Sequence, residues 1–165
     1  MDELIYNQTK IPKEKWRYGL RSSAATGCGW IATHNALRLL GETSEPEELI
    51  AYYQRKLPLL NGLFGTFFPN VTAFFRRRNF HVTSVFRRRD FDEKAKLGDG
   101  CILFFFWRQG WRMNSHYAAF SWQDGSFIGY NTYSNSTRPE SYGTELESFL
   151  ERQKFFLPVL IVISK

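Results

Sequence analysis

The stretch ATGCGWIATHNALRLLG, residues 25–41, places a cysteine between two glycines at the start of a strongly apolar segment. From Cys28 to Leu40 the apolar residues cover most of a helical surface, and Gly41 supplies a stop at the C-terminal end. The polar stripe of this helix is narrow and consists of His34 and Arg38. A helix with so few polar positions has to lie inside a core, so we expect it to be the central helix of the fold.

The rest of the sequence divides into a helical half and a strand-forming half. Two further helices are predicted in the first half, in PEELIAYYQRKL with Ser44 as N-cap and in TFFPNVTAFFRRRN, after an irregular arm over residues 1–27. From residue 80 onwards, five segments are rich in β-branched and aromatic residues: FHVTSVFR, CILFFFW, SHYAAFSW, SFIGYNTY and PVLIVIS. This order predicts an α+β fold in a single domain over residues 1–165, with an N-terminal helical layer on a C-terminal antiparallel sheet.

Cys28 is a candidate nucleophile because of its place at the start of the helix. A thiol in the first helical turn lies near unpaired backbone N–H groups and the positive end of the helix dipole, which lower its pKa. The alternative is a packed residue, since free cysteines are among the most buried residues of proteins. Cys101 opens an apolar strand and fits this packed interpretation better than a reactive one.

A cysteine nucleophile needs a base, and His116 is the best placed of the three histidines. His34 points away from Cys28 on the same helix, and the alternation of its strand puts His81 on the exposed face. His116 begins the predicted strand HYAAFSW, where its side chain can meet the start of a helix at the sheet edge.

The dipeptide Asp124-Gly125 predicts a two-residue hairpin turn and thereby a register for the strands around it. In this register His116 faces Tyr133, and Asn131 and Asn135 are its diagonal neighbours on the same face. Either asparagine could then orient the imidazole, as the third member of a nucleophile, base and orienter set does. The register alone does not choose between them.

The motif TGCGWIATHNAL resembles the start of the active-site helix in papain-like cysteine peptidases, especially the bacterial bacteriocin-leader (double-glycine) peptidases. In that family a strand similar to CILFFFWR precedes the catalytic histidine, and an asparagine or aspartate follows about one hairpin later. The resemblance therefore implies a papain-like fold in a bacterial protein with a catalytic triad of Cys28, His116 and Asn131, and it favours Asn131 over Asn135.

The sequence departs from this family where a glutamine usually precedes the cysteine by about six residues and donates to the oxyanion. Ser22 occupies that place here, and no glutamine lies between Gln8 and Cys28. The hydroxyl groups of Ser22 and Ser23 are therefore the candidate oxyanion donors, together with the backbone N–H of Cys28.

Composition limits the partners that we expect. The net charge of +6 and the arginine triplets at 76–78 and 87–89 suit an anionic partner, but acidic stretches are interspersed and no nucleic-acid-binding motif accompanies them. The sequence has neither a secretory signal nor an apolar stretch of membrane-spanning length. Its two cysteines are expected to be reduced thiols. We expect a cytoplasmic protein without a membrane, nucleic-acid, metal or cofactor partner.

The predicted function is that of a thiol hydrolase that cleaves a peptide or another amide bond, with a peptide or protein as substrate. The first alternative is a catalytically silent papain-like module that binds a peptide or a partner protein. The second is an acyltransferase that uses the same triad. The sequence does not define the substrate or the oligomeric state.

Overall fold

The computed structural model describes residues 4–56, 66–132, 137–152 and 155–165. Its helices are α1 (Ser23–Thr26), α2 (Cys28–Leu39), α3 (Pro46–Gln54), α4 (Phe68–Arg77), α5 (Phe91–Leu97) and α6 (Glu147–Arg152), with 3-10 turns at Gln8–Lys10 and Arg88–Asp90. Its strands are β1 (Arg17–Tyr18), β2 (Arg21–Ser22), β3 (His81–Val85), β4 (Gly100–Gln109), β5 (Arg112–Gln123), β6 (Ser126–Tyr130), β7 (Glu140–Ser141) and β8 (Phe156–Ser164). The predicted α+β class, with its first helices ahead of its main strands, is confirmed.

Six of these strands form one antiparallel sheet in the order β3-β8-β4-β5-β6-β7, and β1 pairs with β2 separately. Alternating side chains of the sheet enter two separate cores. The core on one face is formed with α2, α3 and α4, as the predicted helical layer requires. The core on the other face includes residues of α5 and α6, two short helices that the sequence analysis did not predict.

The helix α2 is the central helix that its sequence predicts. Every residue from Cys28 to Leu37 is buried. The burial extends to His34 on the predicted polar stripe, whereas Arg38 on the same stripe is half-buried. Thr33 donates to the carbonyl of Gly29 over 2.9 Å and shares a 2.7 Å hydrogen bond with the hydroxyl of Tyr53, which supplies polar partners inside the core.

The two glycines that flank the cysteine are required by close packing. A Cβ on Gly27 would lie 2.6 Å from both the carbonyl oxygen of Ser23 and the indole nitrogen of Trp30. A Cβ on Gly29 would lie 2.4 Å from the side chain of Thr66. Any larger residue at either position would therefore push the start of α2 away from its neighbours.

Thr66 connects the start of α2 to the sheet. The Tyr117 hydroxyl on β5 donates to the carbonyl oxygen of Thr66 over 2.6 Å, and the Thr66 hydroxyl lies 2.8 Å from that of Tyr18. All three residues are buried, so these bonds are protected from competition with water. They fix the first turn of α2 relative to β5.

The hairpin between β5 and β6 has the predicted two-residue turn. Asp124 and Gly125 have φ angles of 49° and 76°, as a type I′ turn requires, and Ala119 pairs with Tyr130 in the predicted register. Tyr133 and Asn135, the other positions that this register placed near His116, lie outside the described residues.

Two local predictions for the first half of the chain are wrong. The N-cap of α3 is Glu45, because Pro46 fixes the first helical residue and Ser44 is buried one position earlier. Residues 1–27, predicted to be irregular, include the 3-10 turn, the β1–β2 pair and α1. Elements this short have no hydrophobic period that a sequence could reveal.

We expect Gly125→Ala to lower the free energy of unfolding by roughly 1 kcal/mol, because a Cβ is strained at positive φ. Among the described residues, no heavy atom would lie within 4 Å of the added Cβ, so the loss would come from the backbone alone. Gly100→Ala is the matched control, since its nearest contact would be an ordinary 3.9 Å. Urea unfolding midpoints of both variants test this, and equal midpoints would contradict it.

Candidate active site

A cavity of about 640 Å³ lies where the start of α2 meets β5 and the end of β6. It is lined by Gln8, Thr9, Ala24, Ala25, Cys28, Phe105, Trp107, Asn114, Ser115, His116, Asn131, Thr132 and Phe155. The cavity thus brings together three side chains that the sequence analysis selected from distant parts of the chain, namely those of Cys28, His116 and Asn131.

The cavity exists because β5 extends beyond its pairing with β6. The ladder ends at Ala119 and Tyr130, and Asn131 then adopts a φ of 56°, which turns the chain away from β5. The alternation of backbone hydrogen bonds along β5 directs the N–H of Tyr117 to this free edge. There it meets the thiol of Cys28.

The two candidate catalytic residues approach this edge from different sides. The Tyr117 side chain packs into the core with α2, so the preceding residue, His116, points to the opposite face of the sheet. On that face the imidazole packs against the rings of Phe105 and Trp107, with centroids 5.7 and 6.4 Å away. Cys28 and His116 therefore line one cavity that extends around the edge of β5.

Burial determines the protonation state of Cys28. Its side chain is 6% exposed, and this desolvation raises the pKa of the thiol to about 11, although the backbone N–H groups of Tyr117, Gly29 and Cys28 itself act to lower it. The lowered pKa predicted for a thiol at a helix start is therefore wrong for this structure. Three N–H groups near the sulfur do not offset the loss of water around a buried thiolate.

A hydrogen bond to the main chain fixes the tautomer of His116. Its Nε2 atom lies 2.5 Å from the backbone carbonyl oxygen of Asn131. Because a carbonyl oxygen can only accept, Nε2 carries the proton and Nδ1 keeps the lone pair. Burial lowers the pKa of His116, and the bond to Asn131 acts in the opposite direction. The imidazole is thus a neutral base with Nδ1 as its proton acceptor.

Asn131 contacts His116 through its backbone carbonyl oxygen, whereas the sequence analysis assigned this contact to the Asn131 side chain. The side-chain oxygen of Asn131 accepts from the backbone N–H of Gln8 over 2.9 Å, and its Nδ2 donates to Oε1 of Gln8 over 3.1 Å. The sequence analysis did not select Gln8, because it lies far upstream of the position where the family resemblance expects a glutamine. No local pattern around Gln8 indicates a site.

The described residues that line the cavity do not include the candidate oxyanion donors Ser22 and Ser23, and their role stays a prediction. The Ser23 hydroxyl accepts a 3.0 Å hydrogen bond from the indole N–H of Trp30, and Ser22 is the N-cap residue of α1. The helix α1 presents Ala24 and Ala25 to the cavity in their place.

The arginine triplets do not line this cavity, and five of their side chains have neighbours. Arg76 donates to the carbonyl oxygen of Val82 over 3.4 Å. Arg88 forms an ion pair with Glu147, Arg89 lies 3.6 Å from Asp90, and Arg77 and Arg78 lie over aromatic rings. Among the described residues, no cluster of three or more His, Cys, Asp or Glu side chains is arranged to hold a metal ion. Within the same residues, every helix is too short or too polar to cross a bilayer.

This fold occurs in several solved structures, among them two peptidases. One is the peptidase domain of Streptococcus ComA, a bi-functional ABC transporter involved in quorum sensing, with a TM-score of 0.54 and 16% identity over 83% of this chain and 90% of that chain. The other is a double-glycine motif protease from an AMS/PCAT transporter in complex with a leader peptide, with a TM-score of 0.54 and 12% identity over 93% and 94%. No family model and no curated protein matches the sequence. The chain has the fold of double-glycine peptidase domains, as its motif predicted.

We expect the alkylation of Cys28 by iodoacetamide to accelerate about tenfold per pH unit between about pH 7 and pH 9, because only the thiolate reacts. The rate is measured by mass spectrometry in a Cys101→Ala variant, which leaves one thiol. The Cys28→Ala variant is the control and should react far more slowly, since Cys101 is 1% exposed within β4. A rate that is already constant above about pH 6 would show a preformed thiolate.

Neutral burial of His116 predicts a pH-dependent stability. Its pKa in the folded protein is below the ordinary value of 6.5, so the unfolded chain binds a proton first as the pH falls. The free energy of unfolding should therefore decrease as the pH falls from 6.5 towards the lowered pKa. We expect His116→Gln to reduce this decrease and His81→Gln, at an exposed position, to preserve it. Urea unfolding at about pH 7.5 and about pH 5.5 provides the comparison, and an equal decrease in all three proteins would contradict it.

Proposed function

We propose that this chain is a thiol hydrolase that cleaves a peptide or a related amide bond. The observation that carries the proposal is the joint position of Cys28 and His116 in one cavity, with Nδ1 of His116 left as a proton acceptor by the bond from Nε2 to Asn131. A cysteine, a base and a group that orients the base are the parts that nucleophilic catalysis requires.

In this mechanism the sulfur of Cys28 attacks the carbonyl carbon of the amide while Nδ1 of His116 accepts the thiol proton. The carbonyl oxygen becomes an oxyanion, and the backbone N–H groups at the start of α2 are its candidate donors. His116 then donates the proton to the leaving amine, and the C–N bond breaks to give a thioester at Cys28. Water, deprotonated by His116, hydrolyses the thioester and restores the free thiol.

The cavity walls favour a peptide as the substrate. Phe105, Trp107 and Phe155 supply an aromatic wall, while Asn114 and Ser115 on β5 supply polar groups of the kind that bind a peptide backbone. The AMS/PCAT protease that shares this fold was solved with a leader peptide, which supports the same class of substrate for this chain.

A second candidate function is that of a silent module that binds a peptide without cleaving it. The observation that favours it is the neutral state of both groups, because burial raises the pKa of Cys28 to about 11 and lowers that of His116. Proton transfer from thiol to imidazole is therefore unfavourable until a substrate changes the surroundings. Acyl transfer is the variant of the first proposal in which an amine replaces water in the second step.

The deciding measurement is multiple turnover of a fluorogenic peptide library by the wild-type protein. We expect cleavage, and we expect Cys28→Ala and His116→Ala each to lower kcat/KM by on the order of 10³-fold or more. Cys101→Ala is the matched control, because this cysteine is buried in β4 away from the cavity, and it should retain the wild-type rate.

The silent module predicts a different outcome. It gives no turnover with any peptide of the library, while a peptide that binds the wild-type protein binds Cys28→Ala with the same affinity.

Faster thioester consumption with an added amine than with water alone would identify acyl transfer.

A further inference from the structure

The N-terminal segment, residues 4–11, is attached to both elements that build the cavity. The backbone of Ile5 donates to and accepts from the buried side chain of Asn35 on α2, at 2.8 and 2.9 Å. Tyr6 stacks on Tyr130, the last residue of β6, with ring centroids 6.3 Å apart. The segment thus lies between the helix that carries the thiol and the strand end that precedes Asn131.

Gln8 makes the closest connection between these elements. Its backbone N–H and its Oε1 bind the two ends of the Asn131 carboxamide, at 2.9 and 3.1 Å, and its Nε2 donates to the carbonyl of Ala24 on α1 over 3.3 Å. A backbone N–H can only donate, so it must face Oδ1 of Asn131, and this determines the orientation of both carboxamides. Every polar atom in this set then faces a complementary partner.

The backbone conformation of Asn131 makes this attachment consequential. With a φ of 56° the residue occupies the left-handed region, which asparagine adopts more readily than most residues but at a greater cost than glycine. The carbonyl that contacts His116 points at Nε2 only while this conformation persists. The Asn131 side chain is 1% exposed, so loss of its partner would leave a buried amide unsatisfied and favour a rearrangement.

We propose that Gln8 is a positioning residue of the active site. By binding both ends of the Asn131 carboxamide, it keeps the Asn131 carbonyl against Nε2 of His116 and thereby makes Nδ1 the base. The catalytic consequence of this role of Gln8 rests on the function proposed above. The structural consequence, a single tautomer of His116, is independent of that function.

The first test is the tautomer of His116, read from the ¹⁵N chemical shifts of its ring by NMR at a pH where the imidazole is neutral. We expect the wild-type protein to show protonated Nε2 and Gln8→Ala to show a mixture of both tautomers. Lys10→Ala is the control, because this residue belongs to the same 3-10 turn, is exposed, and should leave the tautomer unchanged. Gln8→Met preserves the length of the side chain and the fold while it removes the carboxamide, and it should match Gln8→Ala.

The second test relates the tautomer to turnover. We expect Gln8→Ala to lower kcat by on the order of 10- to 10²-fold with KM nearly unchanged, because a misplaced base slows the chemical step. Asn131→Gly retains the carbonyl and tolerates the positive φ but removes the clamped side chain. It should have the same effect, and the double variant should be no worse than either single variant.

Two results would overturn the inference. One is a single, unchanged His116 tautomer in both Gln8 variants. The other is a lowered kcat without a change of tautomer, which would mean that Gln8 contacts the substrate directly. If the wild-type protein shows no turnover, the proposed function fails while the NMR comparison still decides the role of Gln8.

Discussion

The site depends on one contact, in which the start of α2 presses against the free edge of β5. Gly27 and Gly29 permit it, because a side chain at either position would collide with α1 or with Thr66. The early end of the β5–β6 ladder supplies the edge, and the backbone N–H of Tyr117 meets the thiol there. The same few residues therefore close the core and expose the reactive groups to a cavity.

This contact sets two electrostatic effects against each other at Cys28. Proximity to backbone N–H groups favours the thiolate, whereas removal of water favours the thiol, and the second effect is larger. Burial of His116 against Phe105 and Trp107, on the opposite face of the sheet, favours its neutral form. A neutral pair is less reactive towards adventitious electrophiles than an ion pair is. Under the proposed function, turnover would therefore depend on a substrate that fills the cavity and displaces its water.

The features that sequence could predict have local signatures. The apolar surface of Cys28–Leu39 indicates a central helix, and Asp124-Gly125 fixes a turn type and with it the register as far as Ala119 and Tyr130. The features that it could not predict are contacts between distant residues. Gln8 and Asn131 are 123 positions apart in the sequence. His116 contacts a backbone carbonyl group, which every residue has, so the identity of the residue at position 131 does not indicate this contact. Ser22 was selected by its spacing from the cysteine and Ser23 as its neighbour, but the direction of a hydroxyl depends on how α1 packs.

The place of β8 in the sheet determines when this fold can form during synthesis. It lies between β3 and β4 and pairs with both, although it follows every other described strand in the chain. Until it emerges from the ribosome, β3 is without the strand that it pairs with, β4 has an open edge, and both cores lack the residues of β8. Folding therefore waits for the synthesis of β8 and proceeds through pairings of large sequence separation, which are slow to form.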